Sequence, residues 1–339
     1  MIESVAIVAL LAGFYLVVWN IGANGSANCV GAAVGGRILS YRRAIVIVIL
    51  FVLLGAVLEG WKNMKTVGEG IVIGSGGVNP LSSIPQAAIA ALLAAGIWVT
   101  IITVKGLPVS TSQAAVGAVV GAGLLVSYTQ AGIGASVEFG VLGTIVIAWV
   151  LSPFIAALLA FILFKVFGPP LRKIKDIVLL NQILTILVIV ASAFVAYALG
   201  ANDIGASAGA VFAFFGGSAL DFRIMLVIGL LGGIALTFGV LTYSRKVMHT
   251  VGTGITRLDA LTAFSAQLGA ALTVWSFVQF RIPVSTTQAI VGAVAGAGLV
   301  KGAAAVSGRK LGHIGIAWVL TPAVTCTFSF LLGWLFLLV

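Results

Sequence analysis

The sequence predicts an all-α integral membrane protein built from two inverted-topology repeats of about five segments each. Three observations lead to this fold class: the composition, a long motif that occurs twice, and the distribution of basic residues. Of the 339 residues, 61% are apolar and only 8% are charged, with a mean hydropathy of +1.24. Soluble domains carry about a quarter charged residues, and long apolar runs favour helices over a transmembrane barrel. We therefore expect a multi-pass protein of the cell membrane (plasma or inner), surrounded by the lipid bilayer.

A tandem duplication divides the chain. PVSTSQAAVGAVVGAG at 108–123 recurs as PVSTTQAIVGAVAGAG at 283–298, with 13 of 16 positions identical. Two shorter pairs keep a similar spacing: IAWVLSP at 147–153 with IAWVLTP at 316–322, and GAN at 22–24 with GAN at 200–202. We predict a first transmembrane repeat at 1–167, a cytoplasmic linker at 168–176 and a second transmembrane repeat at 177–339.

Each repeat contains five apolar segments. The first has 4–36, 44–60, 85–104, 108–126 and 139–167, and the second has 177–217, 224–242, 260–280, 283–300 and 312–338. An odd number of segments places the second repeat upside down relative to the first, as in many secondary transporters.

The basic residues agree with this topology. With the N-terminus outside, 14 of the 18 lysines and arginines fall in inner connections, and the outer connections hold Lys62, Lys65, Arg223 and Arg281. Cytoplasmic loops of membrane proteins are enriched in basic residues. The excess of 18 basic over 8 acidic residues therefore needs no nucleic-acid partner.

Two segments in each repeat are predicted to be discontinuous. The opening segments contain GANGSANCVG at 22–31 and GANDIGASAG at 200–209, where Gly and Asn disfavour a continuous helix. In the fourth segments, 108–126 and 283–300, the apolar run after the motif has only about 14 residues, which is too short for about 30 Å of hydrocarbon. We predict broken first helices and half-helix or re-entrant fourth segments, and whether the latter span fully stays open.

The paired Pro-Val-Ser-Thr motifs predict an anion site. Pro suits the first turn of a helix, and Ser and Thr suit its N-cap, so each motif marks a helix start. Helix N-termini bind oxyanions through free N–H groups and a partial positive charge. Two starts that face each other would surround one anion with the hydroxyls of Ser110, Thr111, Ser112, Ser285, Thr286 and Thr287. The simpler interpretation is a pair of capped helices without a ligand.

A second polar cluster, in the broken opening segments, predicts a cation site. It holds Asn24, Ser26 and Asn28 in the first repeat, and Asn202, Asp203 and Ser207 in the second. Such oxygens suit Na⁺, and the discontinuous helices of transporters commonly supply oxygens of this kind to a bound Na⁺. Asp203 lies well inside an apolar segment and is a functional candidate by default, whereas Glu59 lies at the end of its segment.

An enzymatic function is not expected. Gly205-Ala206-Ser207-Ala208-Gly209 matches G-x-S-x-G, but a nucleophile elbow needs a strand–turn–helix and a His base. His249 and His313 fall in or beside predicted cytoplasmic connections. The two cysteines, Cys29 and Cys326, lie far apart and predict neither a disulfide nor a metal site. No cofactor is expected other than Na⁺ or H⁺ as a coupling ion.

The GAN and PVST motifs of both repeats resemble those of the inorganic phosphate transporter family, of the sodium–phosphate symporter type. The resemblance implies secondary active uptake of inorganic phosphate with Na⁺ or H⁺, through a site formed by both repeats. It implies that contacts to anion or cation come from Ser110, Thr111, Ser285, Thr286, Asn24, Asn202 and Asp203, and that Gln113 and Gln288 help to coordinate Na⁺.

Both repeats depart from the family pattern, which is close to GANDxAN. The first has Gly25 where Asp is expected, and the second has Ala206 where Asn is expected. With one acid fewer, the number of coupled cations stays open. So does the choice between phosphate and sulfate or another oxyanion, because tetrahedral oxyanions share size and shape. A passive anion channel is the alternative from another class, although Asp203 favours coupled transport. The sequence also leaves a homodimer open.

Overall fold

The computed structural model describes residues 2–35, 38–74, 79–129, 135–217, 222–252, 259–300, 302 and 308–338. Within these ranges, nine helices are long and apolar enough to cross a membrane. The helices are α1 Ile2–Asn20, α2 Ser26–Gly35, α3 Tyr41–Glu59, α4 Trp61–Lys65, α5 Pro80–Ser83, α6 Pro85–Val104, α7 Thr111–Thr129, α8 Phe139–Arg172, α9 Ile177–Leu199, α10 Gly205–Phe214, α11 Phe222–Gly252, α12 Ala260–Gln279, α13 Thr286–Leu299 and α14 Gly308–Leu338. This is the helical membrane fold that the composition predicts. Three inner basic residues of the charge count, Arg37, Arg257 and Lys301, lie outside the described residues.

Both opening segments are interrupted where predicted, but by π-helical turns rather than by unwound chain. The turn Ile21–Gly25 joins α1 to α2, and the turn Gly200–Ile204 joins α9 to α10. A π-helical turn replaces the usual backbone bond by one that spans five residues, and such turns are frequent at functional sites. The turns contain Asn24 and Asn202, which are buried, with 1% and 0% of their surface exposed.

Two helical hairpins carry the repeated motifs, α6–α7 in the first repeat and α12–α13 in the second. The strands β1 (Val72–Ile73) and β2 (Ser136–Val137), which flank the first hairpin, pair with each other, so both of its ends lie together. The first hairpin therefore enters and leaves the bundle at the same end, and whether its helices span fully stays open. The second hairpin's helix α13 has 14 residues, whereas α7 has 19 because the helix continues beyond the Gly-rich run to Thr129.

The prediction that Pro108 and Pro283 occupy a first helical turn is wrong. Ser285 is the N-cap of α13, so Pro283 lies two residues before the cap, and Pro108 lies two residues before Ser110 in the same way. The Pro-Val pair thus precedes the helix, and its backbone N–H and carbonyl groups can bond to other segments.

The two repeats are interlocked through glycines. α7 packs on α14 and α13 packs on α8, so each hairpin lies against the last helix of the other repeat. A methyl group added to these glycines would collide with the backbone of the facing helix: Gly117 with Pro322, Gly121 with Cys326, Gly292 with Pro153 and Gly296 with Ala157. The Gly-xxx-Gly spacing of both motifs therefore allows close helix packing. At the end of the first repeat α8 continues to Arg172, so the turn between the repeats is 173–176.

Candidate anion and cation site

Each Pro-Val-Ser-Thr motif leads into a buried helix whose N-terminus is capped by the serine. The Ser110 hydroxyl oxygen accepts from the Gln113 N–H at 3.3 Å, and the Ser285 oxygen accepts from the Gln288 N–H at 3.1 Å. An N-cap hydroxyl reaches the backbone amide three residues on, so each helix starts directly after its serine. Two of the six predicted hydroxyl groups therefore act as caps, and both serines are buried.

Asn24 and Asn202 each accept a hydrogen bond from the backbone of the valine in one repeated motif. Asn202 Oδ1 accepts from the Val284 N–H at 3.0 Å, and Asn24 Oδ1 accepts from the Val109 N–H at 3.3 Å. The Nδ2 group of Asn202 donates to the Val284 carbonyl at 2.6 Å, and that of Asn24 donates to the Leu107 carbonyl at 2.9 Å. Because these side chains bond to backbone, both asparagines position the hairpin tips in this structure. Their contact with an anion stays a prediction.

The two tips are tied to each other by a matching pair of bonds. Ser112 Oγ donates to the Val284 carbonyl at 2.8 Å, and Thr287 Oγ1 donates to the Val109 carbonyl at 3.2 Å. Asn28 Nδ2 in turn donates to Thr287 Oγ1 at 2.9 Å. In each pair the hydroxyl and the carbonyl belong to different repeats, so the tips are fixed relative to one another.

Among the described residues, one carboxylate bonds to both helix starts, that of Asp203. Asp203 Oδ2 accepts from the Thr111 hydroxyl at 3.4 Å, and Oδ1 accepts from the Thr286 hydroxyl at 3.3 Å and from Asn202 Nδ2 at 2.5 Å. Asp203 is only 3% exposed. Thr111 and Thr286 occupy matching places in the repeats, each as the first residue of its helix. The carboxylate therefore lies where two helix N-termini favour negative charge.

Gln113 and Gln288 face a different space. They line a cavity of about 610 Å³ between α8, α13 and α14, in which Trp149 and Trp318 occupy matching places of the two repeats. Both glutamines are buried, and neither Oε1 atom has a hydrogen-bond partner among the described residues. The buried hydroxyl of Ser207 also lacks one in that part of the chain. The structure thus brings Asp203, the two asparagines and the motif hydroxyls together, and places these three predicted cation ligands outside that bonded network.

Two residues of the site were missing from the sequence prediction. Asn63 Nδ2 donates to Asn202 Oδ1 at 3.0 Å, and Trp149 Nε1 donates to the Pro283 carbonyl at 3.1 Å. Trp149 lies in the repeated IAWVL motif, which was a usable signal. Asn63 has no comparable signal, because its role depends on how the short helix α4 packs against the second repeat.

Comparison with protein families matches the chain to the phosphate transporter family at residues 21–176 and 172–329. The two matches correspond to the two repeats. The family is one of transporters, not of enzymes.

Individual proteins of this kind match over nearly their whole length. A protein of Methanocaldococcus jannaschii named "Putative phosphate permease" is 32% identical over 326 residues, which cover 96% of this chain and 95% of that protein. A protein of Thermococcus kodakarensis with the same description is 29% identical over 394 residues, covering 95% of each chain. A solved structure described as "The sodium-dependent phosphate transporter" is 26% identical, with a TM-score of 0.86, covering 99% of this chain and 100% of that chain.

Proposed function

Because the chain belongs to the phosphate transporter family, we propose that this multi-pass membrane protein is a secondary active transporter that moves inorganic phosphate together with Na⁺. One observation carries the proposal beyond the family: two buried helix starts from opposite repeats converge on one carboxylate, Asp203. Such an arrangement offers an anion site and a cation site in one place, built from both halves of the molecule.

Phosphate would lie between the hairpin tips, where it would replace Asp203 as the acceptor for the hydroxyls of Thr111 and Thr286. Hydrogen bonds to a charged group are the strong ones, and the partial charges of both helix N-termini add to them. The other proposed anion residues already bond within the protein, and we assign them first to positioning: Ser110, Ser112, Ser285, Thr287, Asn24 and Asn202.

A sodium ion would offset the repulsion between the phosphate and the carboxylate of Asp203. Two buried negative charges a few ångströms apart repel strongly, so a cation between them makes the binding of each ligand depend on the other. Asp203 would provide the charge and Asn28 a neutral oxygen. Gln113, Gln288 and Ser207 face other spaces, and their buried oxygens, which lack partners among the described residues, would serve a cation position apart from this carboxylate. The name of the structural neighbour supports Na⁺ over H⁺.

Purified protein in liposomes tests the proposal. An inward Na⁺ gradient should drive labelled phosphate above its equilibrium level, arsenate should compete, and sulfate and chloride should compete weakly. Mere equilibration of phosphate would indicate a channel, and equal competition by sulfate would indicate a general oxyanion permease. Accumulation driven by a pH gradient without Na⁺ would mean that the coupling ion is H⁺ and not Na⁺. The homodimer stays a prediction, which the molar mass of the purified protein tests.

A further inference from the structure

Two of the four basic residues that the sequence places on the outer side lie over one aromatic ring. Lys65 Nζ is 5.7 Å and Arg281 Cζ is 5.3 Å from the centroid of the Trp61 ring. Lys62 lies on the same short helix, α4. The ring of Phe222 is 6.1 Å from that of Trp61. We call Trp61, Lys62, Lys65 and Arg281 the Trp61 patch.

Arg281 adopts a backbone conformation that favours glycine. Its φ angle is 59°, in the left-handed region, and the matching position in the first hairpin is Gly106, with φ 74°. A side chain in this region costs energy, and such strain is concentrated at functional sites. The Thr66 hydroxyl holds the turn by donating to the Arg281 carbonyl at 2.7 Å. The second hairpin thus carries an exposed guanidinium where the first has no side chain.

The patch carries net positive charge and lies next to the anion site. Its three cations are Lys62, Lys65 and Arg281, and Lys62 is paired with Glu59. Lys62 Nζ lies 3.1 Å from Glu59 Oε2 and donates to Gln279 Oε1 at 2.6 Å. Asn63, beside Lys62 on α4, donates to Asn202 Oδ1 in the site itself.

We propose that the Trp61 patch is an entry site that captures the anionic substrate from the outer solution and passes it to the hairpin tips. The partner chemistry is that of an inorganic oxyanion, which the surplus of cations attracts. Basic residues are rare in outer connections, so two that lie over one ring, with Lys62 on the same short helix, indicate a role in capture. Attraction of this kind raises association rates and weakens as salt screens it. The proposal rests on the proposed function and on the predicted orientation.

Arg281→Gly tests the patch without damaging the turn, since glycine relieves the left-handed strain. Uptake of labelled phosphate by intact cells, which exposes only the outer face, is measured at fixed Na⁺ and at two ionic strengths set with a choline salt. We expect Arg281→Gly to raise KM at low ionic strength by about three- to tenfold, to flatten its salt dependence, and to keep Vmax. Lys65→Gln should act in the same direction. Lys173→Gln, an equal loss of charge in the linker, should leave KM unchanged.

Wild-type KM and salt dependence in both Arg281→Gly and Lys65→Gln, at equal surface expression, would overturn the entry site. Lack of phosphate uptake by the wild-type protein would instead contradict the proposed function. In that case the same comparison is made with labelled sulfate, because the patch attracts charge rather than a particular oxyanion. An equal change in KM in the Lys173→Gln control would also contradict the proposal, since it would reduce the effect to net charge.

Discussion

Asp203 has no counterpart in the first repeat. Gly25 occupies the matching position, and a methyl group added there would lie 3.2 Å from Leu199 Cδ1, a tight contact. The hydroxyls of Thr111 and Thr286 and the amides of Asn24 and Asn202 are arranged in pairs, but the charge is not. The centre of the site therefore has one carboxyl group, supplied by the second repeat alone.

Replacing Asp203 by Asn should abolish phosphate accumulation and flatten its Na⁺ dependence. The amide keeps the shape of the side chain but removes the charge that attracts the cation. Glu59→Gln is the matched control: its carboxylate bonds to Gln279 at 2.6 Å and to Tyr197 at 2.9 Å, away from the hairpin tips. That variant should retain the Na⁺ dependence of uptake. Wild-type accumulation by Asp203→Asn would place the coupling elsewhere.

Replacing Thr111 or Thr286 by Val should weaken phosphate binding. Valine keeps the shape but removes one hydrogen bond to a charged group, a loss of roughly 1.5–3 kcal/mol, so the concentration for half-maximal uptake should rise about tenfold or more. Thr129→Val removes the same atom at the far end of α7, where the hydroxyl bonds to the Leu125 carbonyl within the helix. If both site variants behave like this control, the motifs are helix caps and no more.

Some of these residue roles could be predicted from sequence and others could not. The capping serines follow from local spacing, because an N-cap bond joins residues three positions apart. The bond from Val109 to Asn24 spans 85 positions. Polarity in an apolar segment marks Asn24 as important, but its partner depends on how the hairpin packs. The sequence therefore predicts the site and its members, yet not that both asparagines bond to backbone.

The same limit applies to whole elements. Gly and Asn in the opening segments indicate that a regular helix is disfavoured, but not what replaces it. Close packing decides the outcome: Gly22 lies against the Leu236 carbonyl and Gly200 against the Val52 carbonyl, so neighbouring helices enclose both π-helical turns. The extension of α7 to Thr129 was likewise missed, because the Gly-rich run ends earlier than the helix does.

Helix contacts across the repeats should make the hairpin glycines intolerant of any side chain. Gly296→Ala places a methyl group on the backbone of Ala157 in α8, and overpacking of this kind costs about 1–3 kcal/mol. Gly143→Ala lies in α8 itself with no neighbouring atom within 4 Å, and should be neutral or stabilising by up to about 1 kcal/mol. Thermal unfolding in detergent measures both. Equal melting temperatures would mean that the α8–α13 contact is loose.

At the scale of the molecule, exchange of partners between the repeats links the site to the whole fold. Each hairpin lies on the last helix of the other repeat, α7 on α14 and α13 on α8. A movement of one repeat against the other therefore moves both tips, together with the carbonyls and hydroxyls that tie them. Transporters with inverted repeats expose a central site to either side by such relative movements. The duplication predicted this symmetry, although the exchange of partners is visible only in three dimensions.

The distribution of charge predicts which end of the molecule faces the cytoplasm. Lys173 lies in the turn before α9, and Arg223 lies at the start of α11, beyond α10. The apolar stretch between them, Ile177–Phe214, has 38 residues, a length of about 57 Å at 1.5 Å per residue. That is enough to cross a bilayer of about 40–45 Å, and the predicted topology places the two positions on opposite sides.

Cysteine labelling in intact cells resolves the orientation. A membrane-impermeant maleimide should label Arg223→Cys directly and Lys173→Cys only after permeabilisation, because basic linkers are retained in the cytoplasm. The wild-type chain gives the background, since Cys29 is buried and Cys326 partly so. Labelling of Lys173→Cys from outside, with Arg223→Cys protected, would invert the molecule. The Trp61 patch would then face the cytoplasm, where a surplus of positive charge is the rule and needs no role in substrate capture.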